Sequence, residues 1–163
     1  MKTFRVCVGI LLALWVAFIF NMSAQNAAVS SATSGHVITF ILKLFVRDFS
    51  SMPKEDQALL VESSQFIARK AAHFTIYGVL GALAFLNMVS YTGLLYKVRM
   101  AAGAAFCLLY AISDELHQLF IEGRSGEIRD VLIDFSGALL GILFCAAVVR
   151  LLKPLYRKVK FHE

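Results

Sequence analysis

The chain has 163 residues, 59% of them apolar and 17% charged, with a mean hydropathy of +0.72. That is too apolar for a soluble domain of this length and points to an integral membrane protein. The formal charge of +5 does not imply nucleic acid as a partner: no basic stripe with interleaved aromatics stands clear of the apolar runs, and much of the excess lies in the last fourteen residues.

In chain order, the run Phe4 to Phe20 predicts a first spanning helix over about 4-22. Met22 occupies a position where signal-peptide cleavage wants a small residue, so the helix is read as uncleaved. Asn21 to Gly35 is small and polar without Lys or Arg and reads as a loop, within an outer loop 23-68. His36 to Phe49 is apolar but interrupted by Lys43, Arg47 and Asp48, which suggests a short interfacial helix on the outer surface. The order Ser51, Pro53, Glu55 marks the start of another short helix before the second span.

Further spans are expected at about 70-90, 100-121 and 129-152, followed by a cytoplasmic tail 153-163 in which Pro154 ends the last helix. The fold class is thus all-α, a single membrane domain over 1-163 with four transmembrane helices. Lys2 and Arg5 before the first span, and the basic tail after the last, place both termini in the cytoplasm. Gly137 with Gly141, and Gly78 with Ala82, give the small-xxx-small spacing of close helix packing. Cys7, Cys107 and Cys145 lie in apolar runs with no metal-ligand spacing and read as packing residues; Trp15, Tyr91 and Tyr96 read as interface anchors.

One stretch breaks the apolar pattern. Tyr110 to Asp134 reads YAISDELHQLFIEGRSGEIRDVLID, and ionisable groups at the ends of membrane-length helices are expensive unless they serve a site. Arg69, His73 and Tyr77 recur at i, i+4 and i+8 on one face of the second span. Asp114 and His117 are one turn apart at the end of the third, and Asp130 and Asp134 one turn apart at the start of the fourth. With both termini inside, three helices present these groups at one depth, facing outward. In the connecting loop, Arg124 and Ser125 sit between Gly123 and Gly126, a spacing that suits an anion-binding turn.

These residues resemble the VanZ-like family of bacterial membrane proteins, whose namesake is a teicoplanin-resistance protein. The resembling motifs are RKAAHFTIYGVLG at 69 to 81, DELHQLFIEGRSGEIRDVLIDFSGALLG at 114 to 141 and, more loosely, FNMSAQ at 20 to 25. Carried over by position, they single out Arg69, Lys70, His73, Tyr77, Asp114, Glu115, His117, Gln118, Arg124, Asp130 and Asp134. The resemblance implies a multi-pass protein of the bacterial plasma membrane with a cell-envelope role. Ala27 to Gln65 lies outside the resembling motifs.

Three readings of the polar groups stay open. In one, Arg69, Lys70, Asp114, Glu115, His117, Arg129, Asp130 and Asp134 form an ion-pair network that fixes helix register. In the second, His73 and His117 act as general base or metal ligands with Asp114, Glu115, Asp130 and Asp134, in a hydrolase or transferase for a lipid-linked substrate. Any divalent metal would fall to His73, His117, Asp114 and Asp134, although no established metal spacing is present. In the third, Arg69, Lys70, Arg124 and Arg129, helped by Tyr77, Gln118 and Ser125, bind an anionic lipid headgroup, wall precursor or glycopeptide. The partners expected are membrane lipids and such an anionic envelope ligand.

Overall fold

A computed structural model describes residues 2–89 and 95–159, with side chains over 3–89 and 95–152. Among the described residues the regular elements are all helical: α1 (Lys2–Ser23), α2 (Ala27–Phe45), one 3-10 turn (Phe49–Ser51), α3 (Lys54–Val89), α4 (Tyr96–Gln118) and α5 (Ile128–Val159). Tyr91 lies outside the described residues. Large apolar side chains such as Leu14, Phe40, Leu109 and Phe144 are more than half exposed, as expected of a surface that meets lipid rather than water.

The segment between the first two apolar runs is more helical than its composition suggests. The expected loop Asn21 to Gly35 contains only a short turn, with α1 running to Ser23 and α2 starting at Ala27. Asn26 caps α2 by accepting from the Val29 amide at 2.9 Å. The polar residues that looked loop-like satisfy themselves inside the helix: the Thr33 hydroxyl donates to the Val29 carbonyl and the Ser34 hydroxyl to the Ser30 carbonyl. Arg47 and Asp48, which made the following run look too broken to span, fall beyond the helix end. The short interfacial helix expected at 36 to 49 is therefore a 19-residue helix starting nine residues earlier, long and apolar enough to cross a membrane.

The helices that meet that standard are α1, α2, α3 and α5. α4 has the length, at 23 residues, but carries Lys97, Arg99, Asp114 and Glu115. The short helix expected to start around Pro53 and the span expected from 70 are one uninterrupted helix, α3, which begins directly after Pro53 with Glu55 and Asp56 in its first turn. Pro154 does not end α5, which continues to Val159; bundled helices tolerate a proline where neighbouring groups take up the freed carbonyl.

α3 and α5 form the centre of the bundle, and glycine makes their approach possible. A Cβ at Gly141 would fall on the carbonyl oxygen of Gly78, one at Gly137 on that of Phe74, and one at Gly81 on that of Ala138. The expected Gly137 and Gly141 pair is the contact surface of α5. On α3, Gly81 makes the close approach alongside Gly78, the role expected of Ala82. Tyr77, Leu80, Ala84, Cys107, Ala111 and Ala138 fill the space around this seam.

α1 closes over the seam through two hydrogen bonds. The Trp15 indole Nε1 donates to the Ile76 carbonyl at 3.0 Å, and the Tyr110 hydroxyl to the Val16 carbonyl at 2.8 Å. Trp15, expected as an interface anchor, is thus a clasp between α1 and α3. Tyr96, though exposed, packs its ring edge-on to Phe85 and donates its hydroxyl to the Ala146 carbonyl at 3.4 Å.

Candidate anion-binding site

The polar groups gather where the end of α1, the middle of α3, the end of α4 and the start of α5 meet, but in separate sets. Asp114 is buried at the centre of the first. Its Oδ2 accepts from the Ser23 hydroxyl at 2.8 Å, the Tyr77 hydroxyl at 3.1 Å and Gln118 Nε2 at 3.5 Å. Gln118 also donates to Glu115 Oε1 at 3.5 Å, while Glu115 Oε2 accepts the Glu127 amide at 2.9 Å. A carboxylate removed from water needs such donors, so Asp114 and Glu115 tie α1, α3, α4 and the α4–α5 loop together. This part matches the network reading. Ser23 was legible only as part of the loosely matching FNMSAQ motif, because a lone serine at a helix end carries no sign of its partner.

The second set lies between α3 and α5. Lys70 pairs with Asp130, and one turn deeper His73 Nδ1 faces Asp134 Oδ1 at 3.5 Å. Asp134 is completely buried, and neither of its oxygens has a hydrogen-bond partner. A buried carboxylate whose one contact is long is uncommon, since buried polar groups are nearly always hydrogen-bonded.

His117 does not join His73. Its ring stacks on Phe20 of α1 at 4.7 Å and its Nε2 is buried without a hydrogen-bond partner. The helical spacing that placed Asp114 and His117 one turn apart was correct, but three residues span about 300° of a helix, enough to separate one side chain from the pocket. Among the described residues no three His, Cys, Asp or Glu side chains gather as a metal ion requires, so His73, His117, Asp114 and Asp134 do not form a coordination set.

The third set is cationic. A polar pocket of about 230 Å³ is lined by Arg69, Lys70, His73, Gln118, Arg124 and Ser125, with Phe66, Gly123, Glu127 and Asp130 completing the wall. Gly123, at φ 74°, supplies the left-handed residue that turns the chain after α4 and brings Arg124 inward. The Arg124 amide donates to the Ile121 carbonyl at 3.1 Å, so what this residue offers the pocket is its guanidinium. Arg124 Nε donates to the Gln25 carbonyl at 3.3 Å. Arg129 is exposed and does not line this pocket, unlike the sequence expectation.

Lys70 has Asp130, but neither Arg69 nor Arg124 forms an ion pair among the described residues. Burial, and then the neighbouring Arg69 charge, lower the Arg124 guanidinium from its ordinary value. Guanidinium stays protonated in proteins, so the like charges persist and a bound anion would relieve both.

Apolar helices meeting around buried carboxylates, with unpaired arginines at one end, define a helical membrane protein with a polar site at the end of its bundle. A family model described as VanZ/LLP1 matches residues 8–151, and the chain belongs to that family. No curated protein and no solved structure matches the chain at a significant level.

Proposed function

We propose that this VanZ-like protein serves the bacterial cell envelope, with its polar pocket on the outer side of the plasma membrane and both termini in the cytoplasm. The pocket binds an anionic envelope ligand: a lipid headgroup, a wall precursor or a glycopeptide. Teicoplanin resistance is the physiological readout that family membership favours. The observation that carries this reading is the convergence of Arg69 and Arg124 on one pocket, neither of them in an ion pair among the described residues although Glu127 and Asp130 also line it. Guanidinium forks suit planar carboxylate and phosphate groups, and two of them in a half-dry pocket fix the anion's position as well as its charge.

The test is glycopeptide susceptibility of cells carrying the wild type, Arg69→Ala or Arg124→Ala at matched membrane abundance. Protection by the wild type and its loss in both variants supports the reading. Equal protection by all three contradicts it.

A second reading, an intramembrane hydrolase or transferase, is favoured by one observation. His73 lines the pocket while its Nδ1 faces the otherwise unpartnered Asp134. In that arrangement Asp134 orients the ring and Nε2 is the atom that would take a proton from a bound substrate. Loss of function with ligand binding retained in His73→Ala would favour this reading.

A further inference from the structure

The polar pocket has a second chamber beside it. A cleft of about 300 Å³ runs between α1, α2 and α3, and its lining is chiefly apolar, with Ile19, Val37, Ile38, Ile41, Ala72 and Ile76 among its walls. Arg69, His73 and Arg124 line both cavities. A group held by the two guanidiniums therefore sits on the boundary, and whatever is attached to it on the cleft side enters an apolar space directly.

From this juxtaposition we infer that the ligand is an amphiphile: an anionic, phosphate- or carboxylate-bearing headgroup on Arg69 and Arg124, with a single hydrocarbon chain in the cleft. The inference rests on the anion-site reading above and adds the chemical class. Charge complementarity fixes the head, because the cations lie only at the polar end. The chain follows from the solvent, since a cleft with isoleucine walls in a membrane protein exchanges hydrocarbon with its surroundings more readily than it holds water. Its volume is at the small end of ligand pockets, roughly 300 to 1,000 Å³, which suits one chain rather than a fused-ring tail. α2, which forms one wall, packs mainly on α3, so chain entry disturbs few other contacts.

The experiment uses the full chain in zwitterionic nanodiscs and follows Trp15, the single tryptophan, whose indole is hydrogen-bonded to the cleft residue Ile76. The probes are inorganic phosphate and the butyl, octyl and dodecyl monophosphates. The expected result is affinity that rises with chain length, with dodecyl phosphate about tenfold or more tighter than inorganic phosphate. Ala72→Phe, which fills the cleft from an exposed position without adding charge, should reduce every alkyl phosphate to the level of inorganic phosphate. If that variant fails to fold, the chain-length series in the wild type beside Arg69→Ala/Arg124→Ala decides the matter.

Equal affinity across the series would overturn the amphiphile while leaving the anion site standing. Chain-length dependence that survives in Arg69→Ala/Arg124→Ala would mean partition into the bilayer, and would also overturn it. Absence of binding by any of the phosphates would remove both the anion site and the inference built on it.

Discussion

Arg69 and Arg124 reach the same pocket wall from distant parts of the chain, one from the middle of α3 and the other from the α4–α5 loop, and neither forms an ion pair among the described residues. Lys70 and Asp130 show the alternative a few ångströms away, a cation and an acid that satisfy each other. The protein thus pairs one cation internally and leaves two guanidiniums lining one pocket, where the Arg69 charge works against Arg124 and the carboxylates of Asp114, Glu115 and Asp130 partly offset it.

The buried set around Asp114 should behave as architecture. Ser23→Ala removes the shortest donor to a buried carboxylate and is expected to destabilise the fold by roughly 1.5 to 3 kcal/mol, with pocket affinity unchanged once the protein is folded. Thermal unfolding in detergent measures the first and phosphate binding the second. A Ser23→Ala protein of wild-type stability would show that Asp114 finds its donors elsewhere.

The α3–α5 seam leaves no room for side chains. Gly141→Val should push the helices apart at Gly78 and cost about 1 to 3 kcal/mol, while Gly103→Ala, where an added Cβ meets its nearest neighbour at 3.7 Å, should cost far less. Melting temperatures of the two variants give the comparison. Equal losses would mean that the seam relaxes more easily than its geometry implies.

Helix α3 has 36 residues, about 54 Å at 1.5 Å per residue, against a hydrocarbon core of about 30 Å. Lys70 meets Asp130 in the first turn of α5, so the excess length is the part before Lys70, which carries Lys54, Glu55, Asp56 and Glu62. The expected consequence is that α2 does not cross, despite being able to by length. Cysteines introduced at Ala24 and Ser51, exposed positions on either side of α2, should then label from the same side of the membrane. Labelling from opposite sides would make α2 a fifth crossing and place the termini on opposite faces.

The sequence carried the site further than it carried the helices. The i, i+4 spacings of Arg69, His73 and Tyr77 and of Asp130 and Asp134 were legible because helical geometry is local, and Lys70, Gln118, Ser125 and Asp130 line one pocket. His117 and Arg129 were misplaced because direction around the helix axis depends on packing, which spacing does not reveal. α2 was read as a loop and a short helix because Ser30, Ser31, Thr33 and Ser34 favour turns in isolation. Hydroxyl bonds to preceding carbonyls and the Asn26 cap override that preference.

A separate prediction distinguishes binding from chemistry. His73→Ala should leave anion affinity within about threefold of wild type, because the charge that holds the ligand sits on the guanidiniums while the His73 ring faces Asp134. Equilibrium binding of the variant is the check. A larger loss would place His73 among the groups that hold the ligand.

The most direct measurement is equilibrium binding of inorganic phosphate and glycerol phosphate to the purified full chain, wild type beside Arg69→Ala and Arg124→Ala. Saturable binding at one site is expected, weakened roughly tenfold to a hundredfold by either substitution, as for loss of a hydrogen bond to a charged group. Binding that is absent in the wild type, or unchanged in both variants, would contradict the anion-site reading.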